Sequence, residues 1–391
     1  MHILIFLDQH MDTLGGVQSS VSLQKKYLEQ LGHTVSVCSP SSINKLEDKG
    51  YIVTPSFPIT YDKEYHVTLP SKKIEQLIDK KVARLAPVDV VHVQADYWGA
   101  ILGISYARRH KLPCIITFHN NVEVGLEMTM GKLLGRVFIR LMSWYLKRII
   151  PEAEIASPWR GWSYLDAVSR LVDVRLTPTE HFSRYLAKHG VSGDIMPMSN
   201  GIDDEVLAAT VRTEPDVFTI VWSGRMSGEK RPLEYLKAIR QADIPAQYYI
   251  YGVGALKPKV EAYIHKHNMA NVSLNGRLPY SEIMHIMASA SLYVQTSIGF
   301  ETQGMTVFEA ASLGTPLVLC DKEIAKEFPP DIYYLTPNDS VEALASTIRK
   351  AYRALEGSEQ KHYQLGSDYD FRQSTMTKRV LEVYQSAIDN R

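Results

Sequence analysis

Residues Leu292–Leu313 read LYVQTSIGFETQGMTVFEAASL, and the fold turns on this stretch. The apolar run Leu292–Gln295 predicts a short strand, followed by a turn. A helix is expected from about Gly304, ending at Gly314, a residue suited to the left-handed turn after a helix. The first N–H groups of such a helix have no partner within it, and the helix dipole makes that end positive. A strand feeding that end is an anion site, typically for phosphate. Glu301 and Glu309 bracket the site with acceptors for sugar hydroxyls. By themselves they are equally readable as a charge complementing the dipole and an ordinary helical residue.

An α/β series opens at Phe218–Trp222. Its first loop, SGRMSGEKRP over Ser223–Pro232, sets two cations, Arg225 and Lys230, in a glycine loop before a helix that Pro232 is fit to start. Cations at a helix N-terminus suit a diphosphate; a solvated basic loop is the plain alternative. Strand Gln247–Tyr251 ends in Gly252-Val253-Gly254, a weak signal that also fits a tight turn. Strand Val272–Asn275 leads through Gly276-Arg277-Leu278-Pro279 into a helix from about Tyr280. Asp368-Tyr369-Asp370 lies in a loop before the last helix, Phe371–Ile388, and reads as a turn or cap rather than a metal site.

The first half carries a second α/β series. Ile3–Leu7 is the apolar run of a buried parallel strand. A loop ending Asp12-Thr13-Leu14-Gly15-Gly16 follows, then a helix on Val17, Val21, Tyr27, Leu28 and Leu31, and a strand at Thr34–Cys38. The loop lacks G-x-G-x-x-G and is no dinucleotide fingerprint. Strands are expected at Val88–Val93, Ile115–Thr117, Arg175–Thr179 and Asp194–Met198, with a helix at Glu180–Lys188. His119 falls just past the end of a strand, where open α/β sheets bind ligands, although a lone loop histidine is more often structural; Glu123 and Glu127 beyond it are ligand-facing candidates or merely solvated. Gly131–Ile150, GKLLGRVFIRLMSWYLKRII, places Lys132, Arg136 and Arg140 on one helix face. Lys147 and Arg148 extend that charge. Leu133, Leu134, Val137, Phe138, Leu141, Trp144 and Tyr145 form a broad apolar side. Such a helix lies in a membrane interface or packs between elements with a solvated basic face.

The two series, each with a glycine loop, predict an α/β fold of two Rossmann-like domains facing across a cleft. The spacing in ETQGMTVFEA resembles the paired-glutamate motif of family-4 retaining glycosyltransferases of the GT-B fold, in the variant of their glycolipid-synthesising (diacylglycerol) members. That resemblance implies that Glu301 holds hydroxyls of the donor sugar and Glu309 the nucleotide ribose, with the Gly304–Met305–Thr306 backbone against sugar and diphosphate. Arg225 and Lys230 match the family's diphosphate-binding pair. Gly16 would approach the diphosphate from the opposite domain, and His119 the donor sugar near the reacting centre. Gly252 would lie beside the nucleoside, and backbone groups near Arg277 and Leu278 would meet the base. Lys132, Arg136 and Arg140 would face acceptor and membrane. The implied catalytic set is His119, Arg225, Lys230 and Glu301.

The implied domains are 1–199, completed by a returning helix 371–391, and 200–370. The implied reaction moves a hexose from a UDP- or GDP-linked sugar to an acceptor hydroxyl on a membrane lipid or glycolipid. No covalent nucleophile stands out, and the leaving phosphate would help deprotonate the acceptor. A soluble sugar or small molecule is the alternative acceptor, and a nucleotide-sugar epimerase the alternative enzyme.

Composition narrows the setting. With 391 residues, two domains are favoured. Lys plus Arg and Asp plus Glu number 43 each, so nothing draws the whole chain to nucleic acid. Cys38, Cys114 and Cys320 have no metal or redox spacing. No metal and no cofactor is expected, the nucleotide-diphosphate sugar being a co-substrate. Ile3–Leu7 is too short for a signal peptide, and no run approaches the ~20 apolar residues of a membrane span. The expected location is the cytoplasm, peripheral on the inner face of the membrane.

Overall fold

Ile3, Leu4 and Ile5 are completely buried, as a strand covered on both faces requires. They belong to β1 (His2–Leu7) of a computed structural model that describes residues 1–13, 15–41, 50–58, 66–358 and 362–391; Leu14 of the glycine loop lies outside them. Along the chain follow β2 (Thr34–Pro40), β3 (Tyr51–Thr54), the short antiparallel pair β4 (Phe57–Pro58) and β5 (His66–Val67), β6 (Val90–Gln94), β7 (Cys114–Thr117), β8 (Val174–Thr177) and β9 (Ile195–Pro197). The helices between them are α1 (Gly16–Gln30), α2 (Lys72–Val82), α3 (Trp98–His110), α4 (Val122–Met130), α5 (Lys132–Ile149), α6 (Gly161–Ser169) and α7 (Glu180–Lys188).

Among the described residues these strands build a seven-stranded parallel sheet, ordered β3-β2-β1-β6-β7-β8-β9. The direction of winding reverses between β1 and β6, which pair from Ile3–Val90 to Leu7–Gln94. Parallel order demands crossovers, and the helices supply them.

The second unit repeats the plan. Its elements are α8 (Asp204–Ala209), β10 (Thr219–Ser223), α9 (Pro232–Ala242), β11 (Gln247–Tyr251), α10 (Lys257–Lys266), β12 (Val272–Asn275), α11 (Tyr280–Ser289), β13 (Leu292–Gln295), α12 (Met305–Ser312), β14 (Leu317–Leu319), α13 (Lys322–Ala325), β15 (Tyr333–Leu335) and α14 (Val341–Leu355). Among the described residues its sheet has six parallel strands, β12-β11-β10-β13-β14-β15, with the reversal between β10 and β13. Leu292 and Val294 face one core cluster and Tyr293 the other, as strand alternation requires.

By contacts the chain divides into residues 1–201 with 373–391, and residues 202–372. The last helix, α15 (Gln373–Asp389), therefore belongs to the first unit. It buries Val380, Val383, Tyr384 and Ala387 with Ile3, Ile5, Val21 and Leu28. It begins two residues later than its apolar pattern predicts. Ile202 N–H donates to the Phe371 carbonyl (2.9 Å), and the Asp370 carboxylate accepts from the Arg372 N–H (3.1 Å), which keeps 371–372 extended.

Candidate functional site

In the second unit the candidates collect where β10 and β13 end, on either side of the strand-order reversal. Open α/β sheets bind ligands at such a point. The loop after β10 is stitched to its neighbour: Gly224 N–H donates to Tyr251 O (3.1 Å), Met226 N–H to Val253 O (2.8 Å), and Gly252 N–H to Gly276 O (3.0 Å). Gly252 has φ 132°, and a Cβ there would stand 1.9 Å from the Gly224 carbonyl oxygen, so this crossing tolerates only glycine. Arg225 is exposed on the loop and Lys230 ends a short 3-10 turn, Gly228–Lys230. Arg277 is exposed and Leu278 half-buried in the loop after β12.

Lys230 Nζ donates to a Glu301 carboxylate oxygen, with Glu301 mostly buried. Thr296 Oγ1 donates to the Lys230 carbonyl (2.5 Å) and accepts from Trp222 Nε1 (2.9 Å). One hydroxyl thus ties the β10 loop to the start of the motif loop. Gly304, at φ 77°, precedes Met305, the first residue of α12; the expected start at Gly304 shifts by one because its backbone is left-handed. Val307, Phe308 and Ala311 anchor α12 in the core, with Phe308 against Phe328 and Phe371 at 4.7 Å each. This leaves the Met305 and Thr306 end half-buried at the loop. Gly314 (φ 74°) follows the helix as expected.

Glu309 is buried to 6% exposure, and burial pushes its carboxyl up to about 7. A hydrogen bond donated by the Tyr280 hydroxyl pulls partly in the other direction. Tyr280 was not among the sequence candidates. Its signal was its place as first residue of a helix directly after Arg277-Leu278-Pro279.

In the first unit His119 is buried just beyond β7. Burial lowers its imidazole to about 4, so it is neutral. Its Nε2 donates to Gln94 Oε1 (3.0 Å). Asp96, fully buried after β6, accepts from the backbone N–H groups of His119 (3.4 Å) and Asn120 (3.1 Å) and from Asn120 Nδ2 (2.6 Å). Asp8, after β1, accepts from the N–H groups of Asp96 (2.7 Å), Tyr97 (3.0 Å) and Gly99 (2.8 Å). Burial raises Asp96 to about 8 and Asp8 to about 6. These carboxyls, which the sequence reading passed over, hold the loop that presents His119. Gly16 opens α1, exposed, with no atom within 4 Å of a built Cβ. Glu123, by contrast, is engaged within its own unit, by Arg160 (3.3 Å) and the Trp162 N–H (3.3 Å).

The basic helix α5 packs on one side only. Its buried side is Gly135, Ile139, Met142, Ser143 and Leu146. Leu133 is 77% exposed, Leu134 59% and Val137 50%, with Leu141 and Trp144 also in solvent. The helix carries two apolar stripes, and the inner one suffices for packing. Lys132, Arg136 and Arg140 are exposed beside the outer stripe. Arg148 stacks on Trp144 (5.1 Å) and Arg140 on Trp159 (5.8 Å).

Among the described residues there is no cluster of three His, Cys, Asp or Glu arranged for a metal. Asp370 instead pairs with Arg372 (2.7 Å). No helix of the described residues is long and apolar enough to cross a membrane.

Comparison with known proteins meets this geometry from outside. The family model described as Glycosyltransferase Family 4 matches residues 14–206, and that described as Glycosyl transferases group 1 matches residues 205–364. Alpha-monoglucosyldiacylglycerol synthase of Streptococcus pneumoniae is 24% identical, over 99% of this chain and 86% of its own. Phosphatidyl-myo-inositol mannosyltransferase of Mycolicibacterium smegmatis is 22% identical, over 99% and 94%. The crystal structure of Anabaena Alr3699/HepE in complex with UDP matches with TM-score 0.71 at 15% identity, covering 99% of this chain and all of that one. Sucrose-phosphate synthase from Thermosynechococcus elongatus matches with TM-score 0.73 at 15% identity, covering both chains fully. Two adjoining family models, two parallel α/β units and a shared fold lead to one statement: the chain belongs to the family-4 glycosyltransferases of the GT-B fold.

Proposed function

We propose that this glycosyltransferase moves a hexose, with retention and without a metal, from a UDP- or GDP-linked sugar to a hydroxyl of a membrane lipid or glycolipid. It would work as a peripheral protein on the cytoplasmic face. The observation that carries the acceptor half is the outer stripe of α5, apolar and exposed, with Lys132, Arg136 and Arg140 alongside. A contiguous exposed apolar face rimmed by cations fits an anionic lipid surface, which attracts nearby lysines and arginines by roughly 1 kcal/mol each. The glycolipid-synthesising names among the relatives support the same reading.

In the reaction the bond from the anomeric carbon to the diphosphate oxygen breaks, and the acceptor oxygen bonds to that carbon on the same face. The acceptor's proton passes to the departing phosphate. Arg225, Lys230 and the N-terminal N–H groups of α12 would stabilise the charge that develops on the diphosphate. Glu301 and His119 would hold sugar hydroxyls, and Glu309 the ribose. With these cations supplying positive charge, transfer should persist in EDTA; its complete loss, restored by Mg²⁺ or Mn²⁺, would overturn the metal-independent mechanism.

The acceptor is tested with vesicles of anionic phospholipid containing diacylglycerol. Wild type should sediment with them at low salt and transfer hexose into the lipid fraction when given UDP- or GDP-sugars. The folded variant Leu133→Ser/Leu134→Ser/Val137→Ser should bind weakly while still hydrolysing or transferring donor in detergent. Indifference of the wild type to vesicles, together with ready transfer to a soluble sugar, removes the lipid from the proposal.

A further inference from the structure

A line of buried side chains joins the returning helix to His119. Gln24 of α1 donates from Nε2 to the Tyr384 hydroxyl oxygen (3.2 Å). Gln94, at the end of β6, donates from Nε2 to Gln24 Oε1. Gln94 Oε1 is therefore turned to His119 Nε2 (3.0 Å) and can only accept there. At the other end, the Tyr384 hydroxyl has accepted from Gln24, so its own proton goes to His92 Nδ1 (2.6 Å). His92 then carries its proton on Nε2 and donates to Thr117 Oγ1 (2.8 Å). Each of Gln24, His92, Gln94, Thr117, His119 and Tyr384 is nine-tenths buried or more, and all lie in the first unit. With the two amides as they stand the line runs in one direction, and reversing one link obliges the others to reverse.

We propose that Tyr384 is a positioning residue for His119: through Gln24 and Gln94 it fixes the imidazole in the Nε2–H tautomer and so presents Nδ1 as a bare hydrogen-bond acceptor to a hydroxyl of the donor hexose. The proposal rests on the reading of His119 as a contact to the donor sugar. His119 Nδ1 has no hydrogen-bond partner among the described residues, and it is not among the fully buried polar atoms left without one. It is the ring nitrogen available to a ligand. A bare nitrogen accepts a hydroxyl proton; the opposite tautomer would offer N–H and require the sugar oxygen to accept.

The test uses the full chain with ¹⁵N-labelled histidine, the His119 signals being assigned with His119→Gln. In wild type His119 should show a protonated Nε2 and a bare Nδ1, and His92 the same. Tyr384→Phe, on α15, and Gln94→Met, on β6, each break the line at a different element, so misfolding of one leaves the other to decide. In both, the His119 tautomer should become mixed. The kcat/KM for the nucleotide sugar should fall roughly two- to tenfold, the worth of one hydrogen bond. Affinity for the sugar-free nucleoside diphosphate should be unchanged, which general loosening of the fold would not spare. A protonated Nδ1 in wild type, or an unaltered tautomer in both variants, overturns the proposal. A shifted tautomer alongside full activity of His119→Ala would instead sink the reading of His119 as a sugar contact.

Discussion

The two units present their candidate residues by different physical means. In the second, backbone does it: three strand-end loops are cross-bonded through main-chain groups, glycines at positive φ let them touch, and α12 starts where β13 delivers it. In the first, buried side chains do it: Asp8 and Asp96 hold the His119 loop, and glutamines and a tyrosine from distant segments orient the ring. Backbone sites are written in short contiguous motifs, because glycine and strand periodicity act locally. Side-chain sites join residues hundreds of positions apart, such as His92 and Tyr384, and leave no local trace.

If that contrast holds, the largest single-residue loss of activity belongs in the second unit, at Lys230. On the proposed function Lys230→Ala would remove a charge-assisted contact to the leaving diphosphate, worth about 1.5–3 kcal/mol, or roughly ten- to a hundredfold in kcat/KM. It also strips Glu301 of its cation. Calorimetry with UDP or GDP should show the same weakening. Unchanged affinity and unchanged turnover together would take Lys230 out of the site and leave the ion pair as a purely structural contact.

Glu309, in the backbone-built unit, responds to pH. Its carboxyl sits near 7 in the folded protein against an ordinary 4.5, so the folded chain binds that proton more tightly than the unfolded chain does. The stabilisation from that proton is complete below about pH 4.5 and is lost as pH rises through about 7. Glu309→Gln keeps a neutral acceptor for Tyr280 at every pH. Its denaturation midpoint should match wild type in acid and exceed it at about pH 8, where the buried charge costs wild type about 3 kcal/mol at most. Asp8 and Asp96 tilt stability in the same direction, but equally in both proteins. Parallel pH–stability curves would mean that Glu309 ionises like an exposed carboxylate.

Much of this architecture is legible in the chain. Strands β11, β12 and β13 and helix α7 fall on the predicted bounds, because apolar runs edged by glycine and charge leave few alternatives. The short strands β3, β14 and β15 were not read. On α5 the pattern identified an amphipathic helix and left open whether its apolar side packs or meets a membrane. Two apolar stripes share that helix, and only tertiary contact selects Ile139, Met142 and Leu146 as the inner one. Tyr280 and Asp96 were invisible for another reason: each acts on a residue that a different strand delivers.

Gly16 is the point where the two modes meet, and the smallest effect is expected there. It lies in the side-chain-built unit, yet the family resemblance gives it a backbone role against the donor diphosphate. Its φ is not in the left-handed region, and a Cβ on it would meet nothing within 4 Å. The fold of its own unit therefore has no need of glycine at this position. Gly16→Ala should melt at the wild-type temperature or slightly above, since alanine at the start of a helix lowers the entropy of the unfolded chain by the equivalent of about 0.4–1 kcal/mol. If the backbone here approaches a diphosphate, the added methyl should nonetheless raise the KM for the nucleotide sugar a few-fold, on the order of 1 kcal/mol in binding. Stability gained while donor affinity is lost would identify a glycine kept for a ligand rather than for the fold. Unaltered kinetics in the stabilised variant would return Gly16 to being an ordinary helix start, and leave the donor diphosphate to the loops of the second unit.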